Sequence, residues 1–352
     1  MTIKDVAQRA AVSPATVSRV LNGQQHYIRQ ETRQRVLQAV EELDYTPDRR
    51  AQTLRKQKTG IIGVIMPDIS NPFFSLLIRG VEREARAQDY SVIICDSENA
   101  LEGENHAIDT LLRERVDGVI VTSVSAENAH LQSFLHKGFS LVIADRRLAH
   151  LEVPAVVVDS FRDGHRLTQH MLGLGYRNIA FIQGPPEVST AVDRFEGYLG
   201  ALADHGLSPG HRCCVEQGDY TFEGGYEAAQ RLLRYCSPEA IIAANDLMAI
   251  GTLYTLKEQG VRVPEEVGVA GFDNIPLASW VHPRLTTIEI PAYKMGQEAM
   301  SLLACGLGEE PGLPRTKVLR AKLVKGQSCT AKSVPEESGS KSRKIGSEGG
   351  DG

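Results

Sequence analysis

About eight near-continuous apolar runs follow one another from residue 61 onward, and a segment with helical spacing follows each of them. Strands that are apolar on both faces are typical of buried parallel sheets, whose two faces are covered by helices. We therefore predict an α/β core. Eight such units are too many for one small open sheet and indicate two stacked α/β domains, with a closed eight-stranded barrel as the architectural alternative. The runs are IIGVIM, SVIIC, DGVIVTS, SLVIA, AVVVD, NIAFIQG, AIIAAND and VGVAGF.

The end of the chain favours two lobes over a barrel. The segment TTIEIP at 286–291 is followed by a predicted helix and by a final strand near 316–324, which is the pattern of a return crossover between two lobes. Residues 329–352 are polar, rich in Gly and Ser, and contain no aromatic residue, so we expect a disordered tail there. The tail has no leucine heptad, which removes one obvious route to a tetramer.

The first sixty residues have a different pattern, that of three short helices. Thr2 with Asp5 marks the start of the first helix, and Ser13 followed by Pro14 marks the start of the second. The third runs from about Gln30 to Leu43. Because only the four residues AAVS separate the first two helices, we predict that these helices form a helix-turn-helix.

Charge is unevenly distributed between these two parts. Residues 1–60 contain eleven Lys and Arg residues against six Asp and Glu residues, a net charge of +5. The whole chain has a net charge of −5, so the remainder carries about −10. A basic head on an acidic body suggests that only the head meets a polyanion. A solvated helical surface remains the alternative, because charge alone does not decide between them.

The second helix, within SPATVSRVLNG, has an outward side with little apolar character. At helical spacing, Val17, Val20 and Leu21 face inward. The outward residues are Ala15, Thr16, Ser18, Arg19 and Asn22. Short polar side chains suit phosphates, and an arginine can pair with two acceptor atoms of guanine. We therefore predict that this helix faces the DNA major groove, the alternative being an ordinary helical hairpin.

The segment TIKDVAQRAAVSPATVSRVLNG resembles the start of the lactose-repressor (LacI/GalR) family of bacterial transcription regulators. The resemblance continues through ETRQRVLQAVEELDYTPDRRAQTLR and through the core to about residue 328. It implies a helix-turn-helix DNA-binding domain at 1–46, a hinge at 47–59, and a core at 60–328 that binds an effector. The core would have two lobes of parallel sheets flanked by helices, as in periplasmic binding proteins. Lobe 1 would span about 60–160 and 292–318, and lobe 2 about 161–291 and 319–328.

The resemblance also implies roles for residues of the head. Ala15 and Arg19 match positions that read base edges in the major groove. Pro14 matches a further base-reading position, where it provides no hydrogen-bonding side chain. Much of the direct readout therefore falls to Arg19. The positions that match phosphate contacts are Ser13, Thr16, Ser18, Asn22 and His26.

Residues 49–55, RRAQTLR, match the hinge helix of the family. A helix this short is not stable by itself, so it would form only on DNA. Paired across a dimer, two such helices would bring Gln52 to the DNA and insert Leu54 into the minor groove at the operator centre. Without the resemblance, the sequence of this segment favours a flexible basic linker.

Several predicted strands of the core end in polar side chains, as at Asn245-Asp246 and Asp273-Asn274. Open α/β sheets bind ligands at the carboxyl ends of their strands, and amides and carboxylates suit paired hydroxyls. These segments resemble the periplasmic sugar-binding fold, and ribose-binding proteins most closely. The resemblance implies effector contacts from Asn71, Phe73, Phe74, Asp145, Arg146, Arg194, Tyr220, Asn245 and Asp273. The family commonly has Gln where this chain has Ile290, so the ligand need not be ribose.

Each of these residues also has a purely structural interpretation. A polar residue at a strand end is often a helix N-cap, and this is our expectation for Asp163 and Asp246. Phe73 and Phe74 could belong to the core alone. The six cysteines are scattered without spacing that suits zinc, and we expect them to be reduced and mostly buried.

An enzyme and a transport protein are the alternative functions. GLGYRN at 173–178 is not GxGxxG and precedes a strand, so the chain has no dinucleotide-binding signature there. Neither GxSxG, HExxH nor a P-loop occurs, and we expect no catalytic residue, metal or cofactor. The start of the chain has no signal peptide, which argues against a transport protein.

These observations together predict a transcription regulator of the cytoplasm. No apolar run approaches the ~20 residues of a membrane helix, so we expect no membrane partner. The expected partners are double-stranded operator DNA, a second copy of the chain and a monosaccharide-like effector such as ribose. The predicted function is repression of carbohydrate-use genes, with the effector bound between the two lobes.

Overall fold

The computed structural model describes seven stretches of the chain and divides it into two compact units. The units are Met1–Thr59 and Gly60–Gly352. The described residues are 1–21, 28–45, 58–125, 131–148, 151–207, 214–307 and 316–332. The predicted hinge helix at 49–55 lies outside them, and so do residues 333–352 of the tail predicted at 329–352. The first four residues of that tail are described and are hydrogen-bonded to lobe 2: the backbone N–H of Lys332 donates to the backbone oxygen of Leu174 over 2.8 Å, and that of Thr330 donates to the Tyr176 hydroxyl over 3.2 Å.

The first unit contains three helices, as predicted. They are α1 (Ile3–Arg9), α2 (Pro14–Leu21) and α3 (Gln30–Glu42). Thr2 and Asp5 form a capping box, in which the Thr2 backbone N–H donates to the Asp5 carboxylate over 2.7 Å. Ser13 caps the start of α2 by a single bond, in which its Oγ accepts from the backbone N–H of Thr16 over 3.2 Å. The predicted N-terminal signals of both helices are therefore confirmed.

The head is held together by one small apolar core. Its buried members are Val6, Ala7, Ala10, Val17, Val20, Val36 and Ala39. The turn between α1 and α2 depends on Ala11, whose φ of 51° is in the left-handed region. The predicted inward residues Val17 and Val20 are buried here, and Leu21 is partly buried against them.

The second unit contains two six-stranded sheets, one for each lobe. Lobe 1 has the strand order β11-β5-β4-β3-β1-β2, and lobe 2 has the order β12-β10-β9-β8-β6-β7. All neighbours are parallel except β12, which is antiparallel to β10. The two-lobed prediction is confirmed, and the barrel alternative is wrong. The strands are β1 (Ile61–Met66), β2 (Ser91–Asp96), β3 (Gly118–Val121), β4 (Ser140–Asp145), β5 (Ala155–Val158), β6 (Ile179–Gln183), β7 (Val215–Gln217), β8 (Ala240–Ala243), β9 (Gly268–Asp273), β10 (Thr286–Glu289), β11 (Thr316–Leu319) and β12 (Lys322–Val324).

Helices cover these sheets and pack against one another in pairs. The closest pairs are α4 with α12 in lobe 1, and α7 with α8 and α9 with α10 in lobe 2. No helix in the described part of the chain is both long and apolar enough to cross a membrane. The helices are α4 (Pro72–Ala87), α5 (Leu101–Glu114), α6 (Gln132–His136), α7 (Ser160–Gly173), α8 (Ser189–Asp204), α9 (Phe222–Tyr235), α10 (Asp246–Glu258), α11 (Pro276–Trp280) and α12 (Ala292–Gly306).

The chain passes between the lobes at three places. It does so at Asp159 after β5, at 290–291 after β10, and at 320–321 between β11 and β12. The final strand predicted near 316–324 is therefore two short strands that belong to different sheets. Arg166 on α7 supports the last passage, because its Nη1 donates to the backbone oxygen of Ala321 over 2.9 Å.

Two expectations about individual residues of the core are wrong. Cys214 and Cys236 form a disulfide, because the start of β7 and the end of α9 bring their Cα atoms within 6.0 Å. The expectation that the cysteines are reduced is therefore wrong for this pair, whereas Cys95, Cys305 and Cys329 are free thiols. Asp163 is not the N-cap of α7; Asp159 is, since its side chain accepts from the backbone N–H of Arg162.

Candidate functional site

The nine effector residues predicted for the core all line a single cleft between the two lobes. We call it the interlobe cleft; the space between its walls, together with the open solvent at its mouth, is about 370 Å³. Lobe 1 contributes Asn71, Phe73, Phe74, Asp145 and Arg146, and lobe 2 contributes Arg194, Tyr220, Asn245 and Asp273. Asp68, Asn99 and Thr190 complete the lining.

The start of α4 forms one wall. Asn71 is the N-cap of α4, and its Oδ1 accepts from the backbone N–H of Phe73 over 3.0 Å. The rings of Phe73 and Phe74 meet edge to face at 5.2 Å, and both side chains are buried. The two phenylalanines therefore belong to the core and also present apolar surface to the cleft.

The end of β4 provides a carboxylate and a guanidinium. Asp145 has a φ of 67°, a left-handed conformation that is costly for a residue with a side chain. Burial raises the pKa of Asp145, while Arg194 and Arg146 oppose the shift. Arg146 lies 5.7 Å from the centre of the Phe74 ring and 6.0 Å from that of Tyr220, so it is in contact with both lobes.

The buried carboxylate of Glu104 positions Arg146 through Ser123. Arg146 Nη1 donates to the backbone oxygen of Ser123 over 2.9 Å. Ser123 Oγ donates to Glu104 Oε1 over 2.8 Å, and the backbone N–H of Val124 donates to Glu104 Oε2 over 2.8 Å. Glu104 is fully buried and is a positioning residue that the sequence did not reveal, because it lies within a helix and away from any strand end.

Arg194 on α8 and Asp273 at the end of β9 form the corresponding pair in lobe 2. Arg194 Nη1 donates to the backbone oxygen of Ala244 over 2.6 Å, and Nη2 donates to Asp273 Oδ1 over 3.2 Å. The guanidinium stacks 4.8 Å from the centre of the Phe272 ring. Burial raises the pKa of Asp273 to about 6, although the charge of Arg194 acts to lower it.

Asn245 and Tyr220 are held together below this pair. Asn245 is the N-cap of α10, with Oδ1 accepting from the backbone N–H of Met248 over 2.9 Å. Its Nδ2 donates to the backbone oxygen of Tyr220 over 2.8 Å. Tyr220 has a φ of 72°, and its hydroxyl lies 3.4 Å from Thr190 Oγ1. Much of the hydrogen-bonding capacity of Asn245 is therefore used within the protein.

Asp246 was expected to be an N-cap, and this expectation is wrong because Asn245 fills that position. The fully buried carboxylate of Asp246 accepts from Thr287 Oγ1 over 2.6 Å and from the backbone N–H of Ile275 over 2.9 Å. Burial raises its pKa well above the usual value, and the nearby Asp273 adds to the shift. Asp246 thus connects α10 to β10 and to the start of α11.

Three buried polar atoms of the cleft have no hydrogen-bond partner within the described residues. They are Asp145 Oδ1, Arg146 Nε and Arg194 Nε. Buried polar groups are nearly always satisfied, so unpaired atoms at a cavity indicate that something else supplies their partner. The cleft combines donors, acceptors and aromatic faces, which is the chemistry that a ring with several hydroxyl groups requires.

Three lining residues, Asp68, Asn99 and Thr190, are not among those predicted from the sequence. Asp68 and Asn99 lie on loops after β1 and β2, the strand ends at which ligands were expected. Asp68 is part of the segment MPDISNPFF, so the same strand-end argument could have found it. Thr190 follows no strand directly, since it belongs to the first turn of α8, and only the tertiary structure brings it to the cleft.

In the head, α2 presents the predicted DNA-facing side chains on its surface. Ser13, Pro14, Ala15 and Arg19 are exposed, and Thr16 and Ser18 are half-buried. Arg19 makes no hydrogen bond or ion pair with any other residue in the described part of the chain. The remaining predicted DNA contacts, at Asn22, His26, Gln52 and Leu54, lie outside the described residues.

Two family models match the chain and together cover most of it. Residues 2–48 match the model of bacterial regulatory proteins of the lacI family. Residues 59–311 match the model of periplasmic binding proteins and the sugar-binding domain of the LacI family. The first match covers the three helices of the head, and the second covers most of both lobes.

Similar proteins extend this match over the length of the chain. Catabolite control protein A of Priestia megaterium is 35% identical over 312 residues, covering 88% of this chain and 93% of that protein. The ribose operon repressor of Halalkalibacterium halodurans is 34% identical over 311 residues, covering 88% and 91%. A solved structure of the lac repressor dimer, bound to operator and to the anti-inducer ONPF, aligns with a TM-score of 0.83 and 26% identity over 94% of this chain and 99% of that one.

Proposed function

This chain belongs to the LacI family of bacterial regulatory proteins, and we propose that its effector is a neutral monosaccharide bound in the interlobe cleft. It is a DNA-binding transcriptional repressor whose activity is regulated by a sugar or another small molecule. The specific proposal is that it represses carbohydrate-use genes as a homodimer in the cytoplasm, and that the sugar changes its affinity for operator DNA.

The observation that carries the effector proposal is the arrangement of charge in the cleft. Asp145 and Asp273 are each close to a buried arginine, so the two arginines are already compensated. A phosphorylated or carboxylated ligand would place an additional charge next to these carboxylates and would lose favourable hydration on burial. A neutral sugar can instead donate hydroxyls to the carboxylates and accept from Arg146 Nε and Arg194 Nε.

A pentose is the first candidate among neutral sugars. The similarity to a ribose operon repressor supports ribose. Ile290, at the position where the family commonly has Gln, has an apolar side chain that is buried and does not line the cleft. It therefore offers the sugar no hydrogen bond. A sugar with a different hydroxyl pattern is therefore the second candidate.

A thermal-shift screen tests the effector proposal. Pentoses, hexoses, polyols and nucleosides, with sugar phosphates beside them, are added to the full chain, because a ligand that binds only the native state raises the Tm. We expect a neutral sugar to raise the Tm and Asp273→Ala to abolish the shift. Arg262→Gln, which removes an exposed ion pair with Glu266 elsewhere in lobe 2, is the matched control and should keep the full shift. A shift with sugar phosphates alone would contradict the proposal.

The sugar would act by changing the populations of two arrangements of the lobes. A ligand that contacts both walls of the cleft binds more tightly when the lobes are closed, so it shifts the population toward that state. We propose that closure repositions the two hinge segments of the dimer and thereby changes how well Leu54 can enter the minor groove. The sign of the response, induction or corepression, follows from which lobe arrangement suits the operator.

The proposed DNA contact rests on α2. Its exposed Arg19 would pair with a guanine, and Ser13, Thr16 and Ser18 would position the helix on phosphates. Fluorescence anisotropy on operator-like duplexes tests this directly. We expect the logarithm of the affinity to fall steeply with the logarithm of the salt concentration, by about 0.9 for each neutralised phosphate. Weak and salt-independent binding to every duplex would contradict it.

A further inference from the structure

Two arginines follow β4 in succession, and they have different partners. Arg146 lines the interlobe cleft. Arg147 instead reaches across to α8 in lobe 2, where its Nη2 lies 2.7 Å from Asp193 Oδ1 and 2.6 Å from Asp193 Oδ2. The backbone N–H of Arg147 also donates to Ser189 Oγ over 2.9 Å. The end of β4 is thus hydrogen-bonded to the first two turns of α8.

On α8, too, the residues of the contact are neighbours in sequence of residues that line the cleft. Asp193 is the chain neighbour of Arg194, and Ser189 is the chain neighbour of Thr190; Arg194 and Thr190 both line the cleft. The two segments that supply cleft residues therefore also supply the contact between the lobes. Opening of the lobes would separate Arg147 from Asp193 and Ser189 but would leave the three chain passages intact.

The charges around Asp193 make its contact with Arg147 favourable. The Asp193 side chain is 15% exposed, and burial raises its pKa, as do the nearby carboxylates of Glu196 and Asp159. Arg147 is the cation that acts to lower that pKa. Without Arg147, the Asp193 carboxylate would be partly desolvated among like charges, so the closed arrangement of the lobes would be less favourable.

We propose that Arg147, Asp193 and Ser189 form an interlobe latch, which favours closure of the ligand-free cleft and so sets how strongly an effector can shift the repressor. The effect of the latch on regulation rests on the proposed function of the cleft as the effector site. The effect of the latch on closure of the lobes does not depend on that function. Arg147 and Asp193 are positioning residues, since neither lines the cleft. An ion pair with one exposed partner contributes a modest amount, which corresponds to a two- to five-fold change in the opening equilibrium.

Hydrogen–deuterium exchange of the ligand-free, full-length protein tests the latch without any assumption about the effector. The amides of 68–74 and 218–221 lie on opposite walls of the cleft and contain none of the latch residues. In Arg147→Gln, we expect these amides in both lobes to exchange about two- to five-fold faster, because the cleft opens more often. The charge-exchanged double variant Arg147→Asp with Asp193→Arg should restore slow exchange.

Two controls separate the latch from local loosening. Arg262→Gln removes an exposed ion pair within lobe 2 and should leave exchange at 68–74 and 218–221 unchanged. Faster exchange of Arg147→Gln confined to 145–148 and 189–193 would overturn the proposal, and so would failure of the charge-exchanged variant to restore slow exchange. Raising the salt concentration should speed exchange in the unmodified protein more than in Arg147→Gln, since salt screens the pair.

A second readout connects the latch to regulation. D-ribose is titrated into the unmodified protein and into Arg147→Gln, and we expect the variant to need about two- to five-fold more ribose for half saturation. If ribose binds neither protein, the choice of sugar is wrong, while the exchange experiment still decides the latch. If ribose binds both with equal affinity, the latch does not contribute to the effector response.

Discussion

Arg19 and Arg194 are the same residue type in opposite environments. Arg19 is exposed on α2 and has no partner among the described residues, whereas the Arg194 side chain is 4% exposed and makes two hydrogen bonds and a ring contact. An exposed guanidinium can select a base by pairing with two acceptors. A buried and partnered guanidinium is fixed in one position and can orient a small ligand instead.

The role of Arg19 can be separated from its charge. In Arg19→Lys, the positive charge remains but the paired geometry is lost, so we expect discrimination at one guanine to fall by about 1–3 kcal/mol while the salt dependence is kept. In Arg19→Ala, we expect the same loss of discrimination and a shallower salt dependence. Both are measured by fluorescence anisotropy, on an operator selected from a random duplex pool and on single-base variants of it. Unchanged base preference in both variants would count against the assignment.

The pKa of Asp273 makes sugar binding depend on pH. In the unfolded chain this carboxyl ionises near pH ~4, and in the folded protein burial raises its pKa to about 6. The stability that the raised pKa provides is therefore present below pH ~4 and is lost as the pH rises through about 6, where the buried carboxylate ionises. A sugar hydroxyl that donates to the ionised carboxylate offsets this cost.

We therefore expect the sugar-induced rise in Tm to be larger at pH 7.5 than at pH 5, and the affinity to weaken as the pH falls through about 6. Asp273→Asn should flatten most of this dependence, and the remaining part should come from Asp145, whose pKa is also raised by burial. Thermal-shift titrations across this pH range measure the effect. A profile that is identical in Asp273→Asn would assign the pH dependence to another group.

At the scale of helices and strands, paired glycines allow the closest approaches. Gly164 on α7 lies against the backbone of Arg194 on α8, and Gly197 on α8 lies against the backbone of Phe161 on α7. A Cβ atom at either position would clash with a backbone oxygen of the partner helix. These contacts let α7 approach α8 closely, and they fix the part of α8 from which Arg194 enters the cleft.

Two glycines of α7, Gly164 and Gly173, provide a test of this packing and its control. Gly164→Ala should destabilise the protein and weaken sugar binding, because the clash with Arg194 forces α7 and α8 apart. We expect a loss of about 1–3 kcal/mol in the free energy of unfolding. Gly173→Ala, at the end of the same helix, meets no neighbouring atom within 4 Å and should be neutral or stabilising by up to about 1 kcal/mol. Chemical denaturation and a sugar titration of both variants measure these effects; equal stability would contradict the packing argument.

At the scale of the whole molecule, an aromatic cluster on lobe 2 fits the proposed dimer. Tyr254 is 48% exposed, and its ring lies 5.9 Å from those of both Phe222 and Tyr226. Aromatic side chains are enriched at protein interfaces, and the similar lac repressor structure is a dimer. We propose that a second copy of this chain covers the cluster.

Tyr254→Glu tests this interface. A buried and unpaired charge opposes association, so we expect the dimer to dissociate at concentrations at least ten-fold higher than for the unmodified protein. Analytical ultracentrifugation measures the shift, and operator affinity should fall with it because one head alone contacts half of a two-fold site. Arg262→Gln, which removes only an exposed ion pair with Glu266 in lobe 2, is the control and should leave the dimer intact. Equal dissociation of both variants would indicate general destabilisation.

Much of the local structure followed from the sequence. Pairs such as Thr2 with Asp5 act within one turn of helix, so nearby residues decide them. The resemblance to the LacI family identified nine side chains that the structure brings to one cleft, from Asn71 on α4 to Asp273 at the end of β9. Each of the nine lies at the end of a strand, in the loop that follows a strand, or in the first two turns of a helix, and the topology of parallel sheets gathers such positions at one edge.

The tertiary structure decided what depends on contacts between distant parts of the chain. Ser123 hydrogen-bonds to Glu104, Thr287 hydrogen-bonds to Asp246, and Cys214 forms a disulfide with Cys236; no local pattern encodes any of these pairings. The contact of Arg147 with Asp193 joins residues 46 positions apart in different lobes. Apolar periodicity and capping residues determine helices and strands because they act over a few residues. Partners in space, and the pKa values that follow from burial, exist only after the two sheets have formed and the lobes face each other.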